Sequence, residues 1–282
     1  MKALQKQYQL LRLMLLISLL LFLTGLFALV SHWSSAIPII LFACVFRLAA
    51  VGWARRKYAA AWMEQSAVAA AEKTMRAVSY TAKEAADGDC LETKGLLPQM
   101  SLVPNAQLHH VLRGSVDNKT VTVSECAFVR SDKGAAGKTI AGTLLIAEKL
   151  LPESENWLIL RKAPFDSFID QSAFEAWTEI PLSAGTQAIC LSCGGETSYA
   201  EKAATVLASA LPEYSAALAA KDGALSMLLP GTFYAHRPAL SQTPSEELIA
   251  RGEIAGVKAL QKLCRALGPQ AVINKDETTI DT

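Results

Sequence analysis

Two apolar stretches decide the fold of this chain: LMLLISLLLFLTGLFALV at residues 13–30 and IPIILFACVFRLAAVGW at residues 37–53. The first contains no charged residue, and the second contains only Arg47. A bilayer core of about 30 Å requires roughly 20 apolar residues in a helix. The pattern therefore predicts a transmembrane helical hairpin over residues 1–57, with helices at about 11–30 and 36–54.

Basic residues flank only the outer ends of this hairpin. Three lie within the first twelve residues and three more, Arg55, Arg56 and Lys57, follow the second stretch, whereas the loop at 31–36 has no Lys or Arg. Because such residues are enriched on the cytoplasmic side, the pattern predicts a multi-pass inner-membrane protein with both termini in the cytoplasm. Together with Arg47, which can extend its side chain to the same interface, these three residues are candidates for lipid-headgroup contact.

The two apolar stretches are also compatible with two other interpretations. In one, the first stretch is a cleaved signal peptide and only the second is an anchor. Signal h-regions normally span 7–15 residues, but this stretch is longer and no small-x-small cleavage site follows it. In the other, both stretches are buried core helices of a soluble protein. We favour the retained hairpin over both.

Charge divides the chain of 282 residues into two parts. Residues 1–57 hold seven Lys or Arg and no Asp or Glu, which leaves 20 basic and 26 acidic residues in the remainder. A mildly acidic domain argues against nucleic-acid binding, which requires a basic surface. The expected partners are therefore the lipid bilayer and an unidentified protein.

Residues 58–88 read as a helical stalk that continues out of the membrane, because they are rich in helix-forming Ala, Glu, Lys and Met. Val68, Met75 and Val78 recur at helical spacing within an apolar stripe. The stripe permits a short coiled-coil seam through which two copies could associate, or simple packing on the chain's own domain.

The remainder predicts a cytosolic α+β domain at residues 89–268 and a disordered polar tail at 269–282. We expect a mostly antiparallel sheet packed with two or three helices, because β-rich segments precede two helical patterns. The predicted strands cover residues 111–116, 120–129, 139–147, 157–160, 187–190 and 223–235, and the predicted helices cover 197–218 and 243–267.

The order and spacing of several segments resemble a known family. The segments are LRGSV at residues 112–116, residues 120–125, GTLLI at 142–146, the helix around 207–211, and residues 223–229. Together with the hairpin they resemble the bacterial family labelled domain of unknown function 3137. One departure is Ile140-Ala141, where the family pattern has an aromatic residue. The resemblance implies a membrane hairpin followed by a cytoplasmic α+β domain, and it carries over no catalytic residue.

The sequence offers one weak candidate for chemistry, the pair Cys190 and Cys193 in the pattern C-x-x-C. This spacing serves zinc binding when further Cys or His ligands are present, and thiol redox chemistry when it opens a helix. No second pair is present, so two half-buried structural thiols are the simplest interpretation.

Two other patterns give weaker indications of a functional site. GAAGKT at residues 134–139 resembles a P-loop but has Asp132 where the first glycine is required, and β-type residues follow it. His109 and His110 are adjacent on a predicted strand, so we expect them to point to opposite faces. We therefore predict a binding or scaffold module at the membrane surface, with no cofactor. The alternative is a thiol- or metal-dependent enzyme that uses Cys190 and Cys193.

Overall fold

A computed structural model describes residues 1–85, 100–102, 107–130, 139–161, 178–180, 182, 188–194, 197–231 and 243–268. These residues belong to two compact units. The first unit comprises Met1–Lys73, Tyr80–Ala82 and Tyr234–Ile254, and the second comprises Thr74–Ser79, Lys83–Phe233 and Ala255–Thr282.

The described helices are α1 (Lys2–Val30), α2 (Ala36–Phe46), a π-helical turn (Arg47–Val51), α3 (Gly52–Glu72), α4 (Thr197–Ala210), α5 (Glu246–Ala250) and α6 (Ala255–Leu267). The described strands are β1 (Arg76–Ala85), β2 (Met100–Leu102), β3 (Gln107–Val116), β4 (Lys119–Arg130), β5 (Thr139–Ala147), β6 (Asn156–Arg161), β7 (Thr178–Ile180), β8 (Ala188–Gly194), β9 (Ala216–Lys221) and β10 (Ala224–Pro230).

The first unit is built on the two apolar helical stretches that the sequence predicts. Both stretches, residues 2–30 and 36–72, are long and apolar enough to cross a membrane. A tight turn joins them, in which His32 has a φ of 54° and the amide of Trp33 donates to the carbonyl of Ala28 at 2.9 Å. The chain therefore reverses direction within five residues.

Small residues bring the two helices together near this turn. The buried residues there are Ser18, Gly25, Ala28, Ala36 and Ala43. A Cβ atom at Gly25 would lie only 2.6 Å from Cγ1 of Ile40. This contact requires glycine, because any side chain at residue 25 would push the helices apart.

The predicted stalk is wrong beyond Glu72. Helix α3 ends there, and residues 76–85 form strand β1, which lies beside β3. Val78, Tyr80 and Thr81 favour a strand, although the alanine, lysine and glutamate around them favour a helix when read alone. Close pairing decides the outcome: a Cβ at Gly114 on β3 would lie 2.8 Å from the carbonyl oxygen of Arg76.

The predicted coiled-coil seam through Val68, Met75 and Val78 is therefore also wrong, because the three residues do not lie on one helix. Val68 lies on α3, Met75 lies beyond the end of the helix and is 2% exposed, and Val78 lies on β1. The three side chains share no helical face, so this stripe provides no support for association between copies.

The second unit contains the predicted antiparallel sheet, and the α+β fold class is confirmed. Its strand order is β1-β3-β4-β5-β10-β9-β6-β8-β7, with β2 paired to β4. The pairings described between β2–β4, β3–β4, β4–β5, β5–β10, β10–β9, β9–β6, β6–β8 and β8–β7 are all antiparallel.

Helices α4 and α6 contact each other, and α6 packs on the centre of the sheet. A Cβ at Gly256 would lie 2.8 Å from Leu229 and 3.0 Å from Leu145, which the strand register places on the same face. The register then places Arg161 on that face as well. Strands β6, β9 and β10 are buried on both faces, which explains their continuous apolar character.

Both predicted helices of this region are shorter than expected. Helix α4 ends at Ala210, and AALAAK at residues 216–221 forms β9 because β6 and β10 pair with it on either side. The helix predicted to end at residue 267 is two helices, α5 and α6, with a break at 251–254. Ser245 caps α5 by accepting from the amide of Leu248 at 3.2 Å, and Lys73 donates to the carbonyl of Gly252 in the break at 2.8 Å.

Several predictions fall on residues outside the described part of the chain. They are the last residues of the predicted stalk at 86–88, most of the P-loop-like turn at 134–139 and the disordered tail at 269–282. The side chain of Cys193 also lies outside it.

Candidate functional site

Large apolar side chains cover the outside of the hairpin. Seventeen exposed ones lie between Leu13 and Trp53, whereas elsewhere in the described residues only Ile189 and Tyr214 are large, apolar and exposed. Soluble surfaces rarely gather so many in one place. We name this set the apolar belt: Leu13, Leu16, Leu19, Leu20, Phe22, Leu23, Leu26, Phe27, Leu29, Val30, Trp33, Ile37, Leu41, Phe42, Val45, Leu48 and Trp53.

The other end of the same hairpin has the opposite organisation, with large side chains buried between the helices. We name this set the hairpin core: Leu4, Tyr8, Leu11, Val51, Ala54, Tyr58, Trp62 and Ile249. The ring centroids of Tyr8 and Tyr58 are 5.5 Å apart, and those of Tyr58 and Trp62 are 6.2 Å apart. These distances suit favourable aromatic pairs, so this end of the hairpin is held by its own packed core.

Exposed basic side chains lie on the same helices as the hairpin core. We name them the basic collar: Lys2, Lys6, Arg12, Arg47, Arg55, Arg56 and Lys57. All seven are exposed, and none forms an ion pair with a residue in the described ranges. Arg12 lies over the ring of Tyr8 at 5.2 Å from the centroid, a cation–π contact that fixes one of these charges beside the core.

The structure thus brings together the four residues predicted to contact headgroups, Arg47, Arg55, Arg56 and Lys57, on one continuous helical segment. Arg47 begins a π-helical turn inside that segment. Such turns are rare and recur at functional positions. This turn could not be predicted, because its residues RLAAV are all compatible with an α-helix.

The predicted thiol site has a different character. Cys190 is fully buried in β8, between Ile159 of β6 and Ile180 of β7. Burial raises the pKa of its thiol to about 12. Reactive cysteines require a lowered pKa and access to solvent, so Cys190 has neither property of a nucleophile. Within the described residues, no three His, Cys, Asp or Glu side chains are grouped to hold a metal.

We expect Cys190 to resist alkylation in the native protein. With a pKa of about 12, only about 10⁻⁴ of the thiol is thiolate at pH 8, and the sulfur is inaccessible. Iodoacetamide labelling followed by peptide mass spectrometry should detect modification at residue 190 only after denaturation. A Lys202→Cys variant, at an exposed position on α4, supplies the positive control. Native labelling of Cys190 at a comparable rate would contradict the buried assignment.

The two adjacent histidines occupy a β-bulge, which the sequence did not predict. The β3–β4 register shifts between His109 and Leu112, and His110 has a φ of 52°. Their ring centroids are therefore 6.4 Å apart. Glu125 pairs with His109 across the strands, and burial raises the pKa of its carboxyl to about 6. Burial also lowers the pKa of His110, followed by repulsion from His109.

No protein-family model, curated protein or solved structure matches this chain. The resemblance to the domain of unknown function 3137 family therefore stays a prediction. The function is therefore inferred from the chain's own residues. Among them, the hairpin core is the part of the candidate site that the sequence did not predict. Leu4, Tyr8 and Leu11 lie at four- and three-residue spacing, a helical signal, but nothing local shows that Tyr58 and Trp62 face them.

Proposed function

We propose that this chain is an integral membrane protein whose hairpin spans the inner membrane and holds a binding or scaffold module at the cytoplasmic surface. The apolar belt carries the proposal. In α1 the belt extends from Leu13 to Val30, about 26 Å along the helix axis, which is close to the roughly 30 Å hydrocarbon thickness. The same side chains in water would form an unusually large apolar patch.

The change in helix packing along the hairpin supports this placement. Within the belt, Ser18, Gly25, Ala28, Ala36 and Ala43 form the helix contact, and small residues are typical of helix interfaces in lipid. Beyond the belt, the hairpin core is large and aromatic, which is typical of packing driven by water exclusion. The transition falls where the basic collar begins.

The basic collar supports the proposed orientation of the hairpin, with both of its ends in the cytoplasm. Its seven cations lie at the end of the hairpin opposite the turn at 31–35, which carries no Lys or Arg. The positive-inside rule then places both ends of the hairpin in the cytoplasm. The exposed side chains of Arg47, Arg55, Arg56 and Lys57 are available for phosphate groups of anionic lipid, each contributing about 1 kcal/mol near the surface.

A binding role is favoured over the thiol enzyme because Cys190 is buried with a raised pKa. The sheet and its helices form a large packed unit in which two buried charged residues are engaged in its own structure. One is Arg161, which donates to the carbonyls of Leu211, Pro212 and Tyr214. Another is Glu155, which accepts from the indole of Trp157 at 2.9 Å.

Reporter fusions test the topology and the collar together. We expect a fluorescent protein fused after Thr282 to be active and alkaline phosphatase at the same position to be inactive. Reversing the charges of Arg55, Arg56 and Lys57 to glutamate should raise the fraction of chains in the wrong orientation, because it removes the positive-inside signal beside α3.

The matched control reverses three exposed lysines of the second unit, Lys149, Lys202 and Lys262, and should leave the orientation unchanged. Phosphatase activity from the wild-type fusion would overturn the proposed topology. If the two triple variants had the same fraction of wrongly oriented chains, the basic collar would not determine the topology.

A further inference from the structure

A groove runs along α3 in the first unit, beside the basic collar but of opposite charge. Its volume is about 490 Å³, and it is open to solvent along its length. Helix α3 contributes Glu64, Val68 and Glu72 to its lining, and α5 contributes Glu246 and Ile249. A groove between two helices, rather than a closed cavity, suits an elongated ligand better than a small molecule.

The floor of the groove is apolar and its rim is acidic. Ile249 is 6% exposed and joins the hairpin core, and Val68 lines the same groove. Glu64, Glu72 and Glu246 are exposed, and none of them pairs with a cation in the described residues. Among the described residues that line the groove there is no Lys or Arg side chain.

The spacing of these groups defines the shape of the ligand. Glu64, Val68 and Glu72 lie four residues apart, so they share one face of α3 and span about 12 Å of its length. A ligand helix lying alongside would place cations about two turns apart, at positions i and i+7, and apolar side chains between them. Charge complementarity excludes an acidic ligand and favours Lys or Arg at both ends.

We propose that this groove binds the apolar face of a basic amphipathic helix from a partner protein lying at the membrane surface. The inference rests on the proposed membrane location for one step: anionic lipid attracts basic amphipathic helices to the interface. The groove begins at Glu64, seven residues or about 10 Å along the helix from Lys57 of the collar. A partner protein concentrated at the bilayer surface is therefore close enough to present such a helix to the groove.

The test uses the full-length protein in nanodiscs of zwitterionic lipid, and empty nanodiscs of the same lipid measure the partition of the peptide into the bilayer. The probe is a fluorescein-labelled 15-residue helical peptide of leucine and alanine with two lysines seven residues apart. We expect saturable binding by fluorescence anisotropy, and binding at least about tenfold weaker for the Glu64→Gln, Glu72→Gln, Glu246→Gln triple variant. The same peptide with glutamate in place of lysine should not bind.

The matched control changes the net charge equally, by replacing exposed Glu148, Glu201 and Glu213 of the second unit with glutamine. It should bind the lysine peptide as the wild type does. A Val68→Asp variant tests the floor and should also abolish binding; circular dichroism and a thermal melt establish that each variant is folded. No binding to wild type, or equal loss in both triple variants, would overturn the proposal.

The outcome separates this inference from the membrane proposal. Flotation of each protein with lipid vesicles measures anchoring alone, and neutralising the groove should not change it. If wild type failed to float, the membrane proposal would be wrong, while the anisotropy experiment in detergent would still decide the groove. If wild type floated without binding the peptide, only the groove would be rejected.

Discussion

Replacing Arg161 with methionine should lower the free energy of unfolding of the second unit by roughly 3–5 kcal/mol. Arg161 is 4% exposed, and its guanidinium donates to the carbonyls of Leu211 and Tyr214 through Nη1, the latter at 3.0 Å, and to the carbonyl of Pro212 through Nη2 at 2.9 Å. Methionine fills a similar volume but donates no hydrogen bond, so the three carbonyls would lose the charged donor that joins them to β6.

The position of the three carbonyls increases the effect. Helix α4 ends at Ala210, so Leu211, Pro212 and Tyr214 follow its negative end directly, where a cation is favourable. Removing the cation therefore loses a charge–dipole interaction as well as the hydrogen bonds. The connection between α4 and β9 should open first, because Arg161 on β6 links it to the sheet.

Arg265→Met is the matched control. Arg265 pairs with Asp117 at 2.9 Å, but the two side chains are 63% and 40% exposed, and such surface pairs contribute about 0–1 kcal/mol. Thermal unfolding should show a fall of roughly 6–20 °C for Arg161→Met and a small change for Arg265→Met. Hydrogen exchange of peptides from β6 and residues 211–215 should accelerate in the first variant only. Equal melting temperatures in the two variants would show that the buried interaction contributes little.

The sequence predicted the hairpin and the sheet but not the boundaries between helix and strand. The turn and the apolar stretches are local properties, readable from hydropathy and from Ser31 to Ala36. Residues 76–85 and 216–221 are rich in alanine, and their own propensities favour a helix. They become strands through pairing with β3 and with β6 and β10, and such long-range pairing is invisible in a local window.

The candidate site shows the same division. The cations of the basic collar could be located from the sequence, because their meaning depends only on their position beside an apolar stretch. The groove could not, since Ile249 and Glu246 lie more than 170 residues from Glu64 along the chain. Cys190 is the converse case. Its C-x-x-C motif suggested thiol or metal chemistry, whereas its burial between β6 and β7 raises the pKa of the thiol and argues against a reactive cysteine.

Replacing two leucines in the middle of the apolar belt with lysine should have the largest effect on the membrane insertion of the hairpin. Leu19 and Leu20 are 50% and 55% exposed, so in water the change Leu19→Lys with Leu20→Lys would be nearly neutral. In a bilayer, each lysine near the helix centre costs about 2.5–3.5 kcal/mol and each lost leucine about 0.3–0.6. The pair should therefore cancel most of the favourable insertion free energy of α1.

The control pair, Gln9→Lys with Leu13→Lys, adds the same number of lysines about 10 Å nearer the collar. Leu13 is 51% exposed and follows Arg12 directly, so a lysine there can extend to the interface at small cost. We expect most of the central variant to be extracted from membranes by alkaline carbonate, and the control to remain integral like wild type. The two variants differ in the depth at which the lysines would lie in the bilayer, because the exposed fractions of residues 13, 19 and 20 are similar. If carbonate extracted wild type and both variants to the same large extent, the belt would be a water-exposed surface and the hairpin would not span the bilayer.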